Sequence, residues 1–348
     1  MRSEGWSDPN DAPRALPYVS PLPNGIREAE LTVVVPVMGP GMAVAVENQG
    51  RWHTYIETLV AGSTTRPDNV RVLPVSLPNA PESGVLRAAV GGLQSVAPGN
   101  GLCRDLSQAI AQFAARRIQP LKVFVSHTKR GGDSDVPEEL VQRVREVILD
   151  TKLHEFFDES DLQPGARWEE ALKAEAATSA LLAIRTDLYA TRTWCQKEML
   201  IAKRAGVPAV ILDALTHGEE RGSFLMDNLP RIPRHSGDDD DVILRTLGQL
   251  VDECLKRALW ERQRELAIRE NVDVAAWWAP HAPEPITLVA WLGQAVTGLP
   301  PDDPIVVLHP DPPLGPDELH ALEELADLCG VGDRLEVMTP RGLAIRGL

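Results

Sequence analysis

The middle of the chain alternates short, solid apolar runs with stripes of helical period. Residues 122–126 (KVFVS) form a β-rich run after Pro120 and lead into a polar, glycine-containing loop, 127–135. Pro137 suits the first turn of a helix, and Leu140, Val144, Val147 and Ile148 then share one apolar stripe. A second short run ends with Phe156 and Phe157 at Asp158, and the loop 159–165 is full of turn formers. A third helix is predicted to begin near Arg167 and Trp168. Residues 180–184 read as a third strand and 207–212 as a fourth. Between them Cys195, Met199 and Ala202 repeat at helical spacing, and Thr193 with Gln196 is placed as a capping box. Strand and helix thus alternate over short links, the pattern of a parallel sheet with helices on both faces. Ligands of such sheets bind beyond the carboxyl ends of the strands. Ser126, Asp158 and the loop 186–193 fall at such ends.

The flanks repeat the theme more faintly. Residues 1–28 are crowded with Pro, Asn, Asp and Ser and read as a loose lead-in. Residues 31–37 and 70–77 are strand candidates, and Leu102, Leu106, Ile110 and Phe113 mark a helix over 102–116. After the central segment, an acidic run at 238–241 reads as a solvated turn before a helix over 242–264, where carboxylates favour the positive helix start. Beyond it come a helix over 286–296, a strand over 304–308, a stiff loop at 309–315, a helix over 317–328 and a last strand over 335–338. The predicted organisation is a lead-in (1–28), an N-terminal α/β region (29–118), a central domain (119–258) and a C-terminal α/β region (259–348). Neither flank shows a convergent catalytic set.

Composition narrows the partners. The chain has 348 residues, more than one typical domain. Its formal net charge of −15 argues against unaided binding to nucleic acid, which rests on phosphate contacts to Lys and Arg. No apolar stretch is long enough to span a bilayer, and the first residues lack the apolar region of a signal peptide. The four cysteines, 103, 195, 254 and 329, are scattered in neither a metal-ligand nor a disulfide pattern. A reduced, cytoplasmic setting is the expectation, and the Arg-, Ala-, Gly- and Pro-rich composition fits a GC-rich bacterial genome.

The densest chemistry lies at 191–198 (TRTWCQKE). Trp194 and Glu198 are four residues apart, one helical turn, so an aromatic wall stands beside a carboxylate. Cys195, Met199 and Ala202 are expected on a different, buried face, leaving Glu198 outside the core. Three segments in order, KVFVSHTK, FFDESDLQPGARWEEAL and SALLAIRTDLYATRTWCQKEM, resemble a Toll/interleukin-1 receptor (TIR) domain. The matching features are the strand ending in Ser126 and His127, the loop Asp161 to Gly165 before Trp168, and Trp194-Cys195 followed by Glu198. The resemblance covers residues 119–258. It implies a flavodoxin-like α/β fold with a five-stranded parallel sheet, flanked by smaller α/β regions. The fifth strand is expected near 229–232, where Pro230 and Pro233 depart from the pattern.

The resemblance also implies an activity. Some TIR domains cleave the nicotinamide–ribose bond of NAD+, with a glutamate at the position of Glu198 carrying the reaction. By that likeness Glu198 is the catalytic candidate. Trp194, Ser126, His127, Thr128, Asp158 and Arg167 are the expected contacts to the dinucleotide. NAD+ is then substrate, with no separate cofactor and no metal. Water as acceptor gives ADP-ribose, and an internal nucleophile gives a cyclic product. Self-association through the 161–165 loop and a role in bacterial antiphage defence or nucleotide signalling are implied by family likeness. Two other classes compete. One is a non-catalytic TIR adaptor, which has no need of Glu198. The other is a nucleoside deoxyribosyltransferase or hydrolase, which the Trp194-Cys195 pair and the 161–165 loop disfavour. Each residue also has an ordinary reading. Glu198 reads as solvated charge, Trp194 as core filler, Ser126 as a strand-end cap and His127 as a structural loop residue. Asp158 and Asp161 read as turn formers, and Arg167 as a loop anchor.

Overall fold

The computed structural model describes residues 29–48, 51–81, 84–117, 119–128, 138–156, 179–234, 239–270, 274–295, 298 and 303–345. The chain divides into two compact units, one running to residue 118 and the other starting at Gln119.

In the first unit the two strand candidates are each broken in two. β1 (Thr32–Val34) and β2 (Val37–Met38) pair in parallel with β3 (Val70–Val72) and β4 (Val75–Ser76). Pro36 and Pro74 fall at the two breaks. A proline has no N–H to give a ladder, so each interrupts its strand. Two helices the apolar pattern left unread, Pro40–Glu47 and Arg51–Thr65, lie between the paired strands. Trp52, Ile56 and Leu59 of the second recur at helical spacing and are buried with Met42, Val46 and Val70. The expected helix over 102–116 is present as Leu102–Ala114.

The second unit is built on a fully parallel sheet of β5 (Lys122–Ser126), β6 (His154–Phe156), β7 (Ser179–Arg185), β8 (Ala209–Asp213) and β9 (Arg231–Pro233). Its order is β6-β5-β7-β8-β9. All residues of β7 are buried. Alternate side chains serve two cores. Ala180, Leu182 and Ile184 pack with Val144 and Ile148 of the Glu138–Leu149 helix and with Leu247 and Leu250 of the Asp239–Arg269 helix. Leu181 and Ala183 pack with Met199 and Ala202 of the Thr193–Ala205 helix. Pro233 terminates β9, an edge strand, where its missing N–H costs no ladder bond.

The Asp239–Arg269 helix runs 31 residues, longer at both ends than its apolar pattern indicated. Asp239, Asp240 and Asp241 of the acidic run therefore lie in the helix's first turn, not in a turn before it. Arg234 pairs with Asp239 at 2.7 Å, and Arg143 pairs with Asp240. The position 258/259, expected as a domain boundary, lies inside this helix. Val242 to Cys254 serve the five-stranded sheet, while Trp260 packs with Val306, Leu308 and Met338. Those residues belong to a three-stranded parallel sheet of β10 (Trp277–Trp278), β11 (Ile305–Leu308) and β12 (Leu335–Met338), covered by the Pro285–Ala295 and Pro316–Leu328 helices. Mixed α/β structure with parallel strands thus runs through both units.

Two devices fix the ends of the strands. Gly206 ends the Thr193–Ala205 helix in the left-handed region at φ 64°. A Cβ there would come within 2.4 Å of Pro280 Cγ, and Arg257 donates to its carbonyl at 3.0 Å. At the opposite end of the sheet, just past β7, Asp187 accepts backbone N–H groups from Thr216 and His217 at 2.9 Å each and from Gly218 at 3.2 Å. This carboxylate pins the loop after β8 to the end of β7. Burial works to raise the Asp187 carboxyl, but the three backbone donors outweigh it and hold the group below the ordinary carboxylate range.

Gly206→Ala should destabilise the chain by roughly 2 kcal/mol, combining left-handed strain with the contact at Pro280. Denaturant unfolding would read this as a lower midpoint. Asp187→Asn should cost about 1–3 kcal/mol at neutral pH. A depressed carboxylate stabilises the fold fully above its unfolded value of about 4 and loses that contribution as pH falls through the folded value. The gap between wild type and Asp187→Asn should therefore close as unfolding is measured at progressively lower pH below about 4. A gap of constant size down the acid range would contradict this assignment.

Candidate active site

The site forms where β5 and β7 end beneath the Thr193–Ala205 helix. β5 and β7 are in register, with Ser126 opposite Ala183. Val123 and Val125 face one core and Phe124 the other. Strand alternation puts Ser126 on the Phe124 face, under the helix.

The helix places Glu198 differently from its sequence reading. Glu198 is 4% exposed and is buried together with Cys195, Met199 and Ala202. Residues at those positions form one continuous helical stripe, so the carboxylate shares the core-facing side that was expected to exclude it. Trp194 flanks the stripe next to Glu198 and is 45% exposed. At that exposure it is not core filler. The capping box does not form. Thr193 is already helical, and the Gln196 side chain donates to the Ala190 carbonyl. The approach from β7 is a 3-10 turn, Tyr189–Thr191, and that turn directs the helix over β5.

The buried carboxylate is held by hydroxyls. Ser126 Oγ donates to Glu198 Oε2 at 2.5 Å, and the Tyr189 hydroxyl lies 2.7 Å from the same Ser126 oxygen. All three groups are buried. Burial pushes the Tyr189 hydroxyl well above its usual range, and the nearby Cys195 thiol and Glu198 carboxylate add to the effect. The phenol therefore stays protonated. The Cys195 thiol lies 3.6 Å from the His127 carbonyl as a weak donor, tying the helix to the chain just past β5. His127 Nδ1 lies 3.2 Å from the Thr128 carbonyl. A low-dielectric setting strengthens every charge interaction at this carboxylate. Such a group suits the stabilisation of positive charge that develops on a substrate.

The structure brings Ser126, Glu198 and Trp194 together, with His127 and Thr128 continuing from β5. Asp158, Arg167 and the 161–165 loop lie outside the described residues. Tyr189 escaped the sequence reading. Its signal was available: a single hydroxylated aromatic just after a solid apolar strand, in a segment already marked as a strand end. A second feature, also unread, lies at the other end of the same helix. There a cavity of about 500 Å³ is lined by Lys203, Asn228, Trp277 and His281, among others. Lys203 is buried and pairs with Glu284 at 2.9 Å. Among the described residues no cluster of His, Cys, Asp and Glu could hold a metal ion. No described helix is long and apolar enough to cross a membrane.

No protein-family model matches the chain, and no curated protein matches it. Among solved structures, it is similar to the TIR domains of the activated Roq1 resistosome directly recognising the pathogen effector XopQ. The identity is 14%, the match covers 43% of this chain and 99% of that one, and the TM-score is 0.22. A likeness of that score carries no weight for fold or function, which rest on this chain's own residues.

Proposed function

We propose that residues 119–258 act as a TIR-type domain of flavodoxin-like fold that cleaves the nicotinamide–ribose bond of NAD+. The observation that carries the reading is the Glu198 carboxylate, held by Ser126 at the carboxyl ends of a parallel sheet and one turn from the half-exposed Trp194. Two further features support it. The sheet order, written in chain order as 2-1-3-4-5, is that of flavodoxin-like sheets. The first and third sequence segments that resemble TIR domains also include β5, β7 and the first half of the Thr193–Ala205 helix.

The chemistry asks little of the protein. Nicotinamide leaves the pyridinium as a neutral molecule, so its departure needs no general acid. Cleavage leaves positive charge on the ribose, as in glycoside cleavage. Glu198 stabilises that charge, and Trp194 offers a flat face to a ring of the dinucleotide. Water or an internal nucleophile then takes the sugar, giving ADP-ribose or a cyclic product beside nicotinamide. His127 and Thr128 offer polar groups near the dinucleotide, and Asp158 and Arg167 are retained as proposed contacts. We further propose that the chain works self-associated, in bacterial antiphage defence or nucleotide signalling.

Purified full-length chain incubated with NAD+ should release nicotinamide, resolved by chromatography. Glu198→Gln keeps the shape but removes the charge, and should lower kcat about 10²–10³-fold. Its melting temperature should stay near that of wild type. Trp194→Ala should lower kcat/KM about tenfold through lost stacking. Equal turnover by wild type and Glu198→Gln would remove Glu198 from the chemistry. Absence of nicotinamide release under all assembly conditions would favour the non-catalytic adaptor. If association completes the site, specific activity should rise with protein concentration in step with oligomer mass by light scattering. Flat activity from a persistent monomer would overturn that part.

A further inference from the structure

Ser126 has a single hydroxyl proton, and the geometry directs it to Glu198 Oε2 at 2.5 Å. The Tyr189 hydroxyl, 2.7 Å from the same Ser126 oxygen, must then be the donor in the second bond. The result is a one-way relay, Tyr189 to Ser126 to Glu198. Its first member is rigid. Tyr189 is among the largest fully buried side chains, and its backbone N–H bonds to the Thr186 carbonyl at 3.0 Å. Its last member needs orienting, because the terminal torsion of a glutamate is broad and packing alone sets the carboxylate plane poorly.

We propose that Tyr189 is a positioning residue, acting through Ser126 to hold the Glu198 carboxylate in the one orientation that meets the reacting sugar; this role rests on the glycohydrolase reading above. A serine hydroxyl can turn among staggered positions. A phenol donating to its oxygen disfavours the rotamers in which the serine proton points back at Tyr189. The proton that remains is aimed at the carboxylate. Ser126, expected from sequence likeness to touch the dinucleotide, is therefore assigned to the enzyme's own carboxylate. Small errors of placement at a reacting centre are costly in rate, so loss of the relay acts on kcat and leaves ground-state binding largely intact.

The test is a double-mutant cycle in the full-length chain with NAD+ as substrate. Tyr189→Phe keeps the buried ring and should lower kcat about tenfold, with KM within about twofold. Ser126→Ala should lower kcat at least as much. In the Ser126→Ala background, Tyr189→Phe should have almost no further effect on kcat, because the path from Tyr189 has already been cut. A role in packing alone would give additive losses and would show as lowered thermal stability. A readout independent of turnover is the side-chain ¹³Cδ resonance of Glu198, identified by its loss in Glu198→Gln. It should shift in Ser126→Ala and, by less, in Tyr189→Phe. A wild-type chain that releases no nicotinamide, with these shifts still seen in the two variants, would refute the glycohydrolase reading and keep the relay. An unmoved resonance in both variants, or additive kcat losses, would overturn the relay itself.

Discussion

The complete burial of β7 is the constraint on which the second unit depends. A strand with every side chain buried needs apolar cover on both faces, and alternation sends successive residues to opposite sides. One side is met by the Glu138–Leu149 helix and the first half of the Asp239–Arg269 helix. The other side falls to the Thr193–Ala205 helix, which β7 itself leads into through one tight turn. That short connection leaves the helix little freedom. Its N-terminal half must lie over the ends of β5 and β7, and this puts Glu198 over Ser126.

Burying a carboxylate there carries a cost that must be met by hydrogen bonds. Ser126 supplies one, and Tyr189 supports Ser126 from beneath. An acidic side chain on a core-facing stripe is poor design for stability alone. Its presence, at a strand end beside a half-exposed tryptophan, sets this place apart from ordinary packing. The same helix carries a second buried charge at its far end, Lys203, matched by Glu284 from the link between β10 and the Pro285–Ala295 helix. The helix is thus held by polar contacts at both ends and by apolar ones between.

The Asp239–Arg269 helix has a comparable double duty. Its first half belongs to the core of the five-stranded sheet and its second half meets the three-stranded sheet through Trp260. Composition along this helix shows no break, and its apolar stripe simply changes partners. A boundary placed at 258/259 from sequence pattern thus cuts through continuous structure.

What the sequence by itself determined was local. Solid apolar runs located β5, β7 and β8, because central parallel strands are buried on both faces and leave no polar alternation to blur them. Helical spacing located the Glu138–Leu149 and Leu102–Ala114 helices in the same way. The Trp194 and Glu198 pairing was also legible, since it depends only on helical periodicity. Tertiary structure decided the rest. Pro36 and Pro74 divide strands whose apolar runs look continuous, because the missing N–H matters only once a partner strand is present. The Arg51–Thr65 helix was hidden because its few buried residues sit among polar ones. Above all, the face on which Glu198 lies depends on how the helix rolls over the sheet. Periodicity puts Glu198 between Trp194 and Ala202 but cannot say which edge of the stripe turns inward. The hydroxyl that holds Glu198 is that of Ser126 on β5, far back along the chain, while Tyr189 of the turn after β7 bonds Ser126, and only the parallel register of those strands brings the two hydroxyls and the carboxylate into one hydrogen-bonded chain.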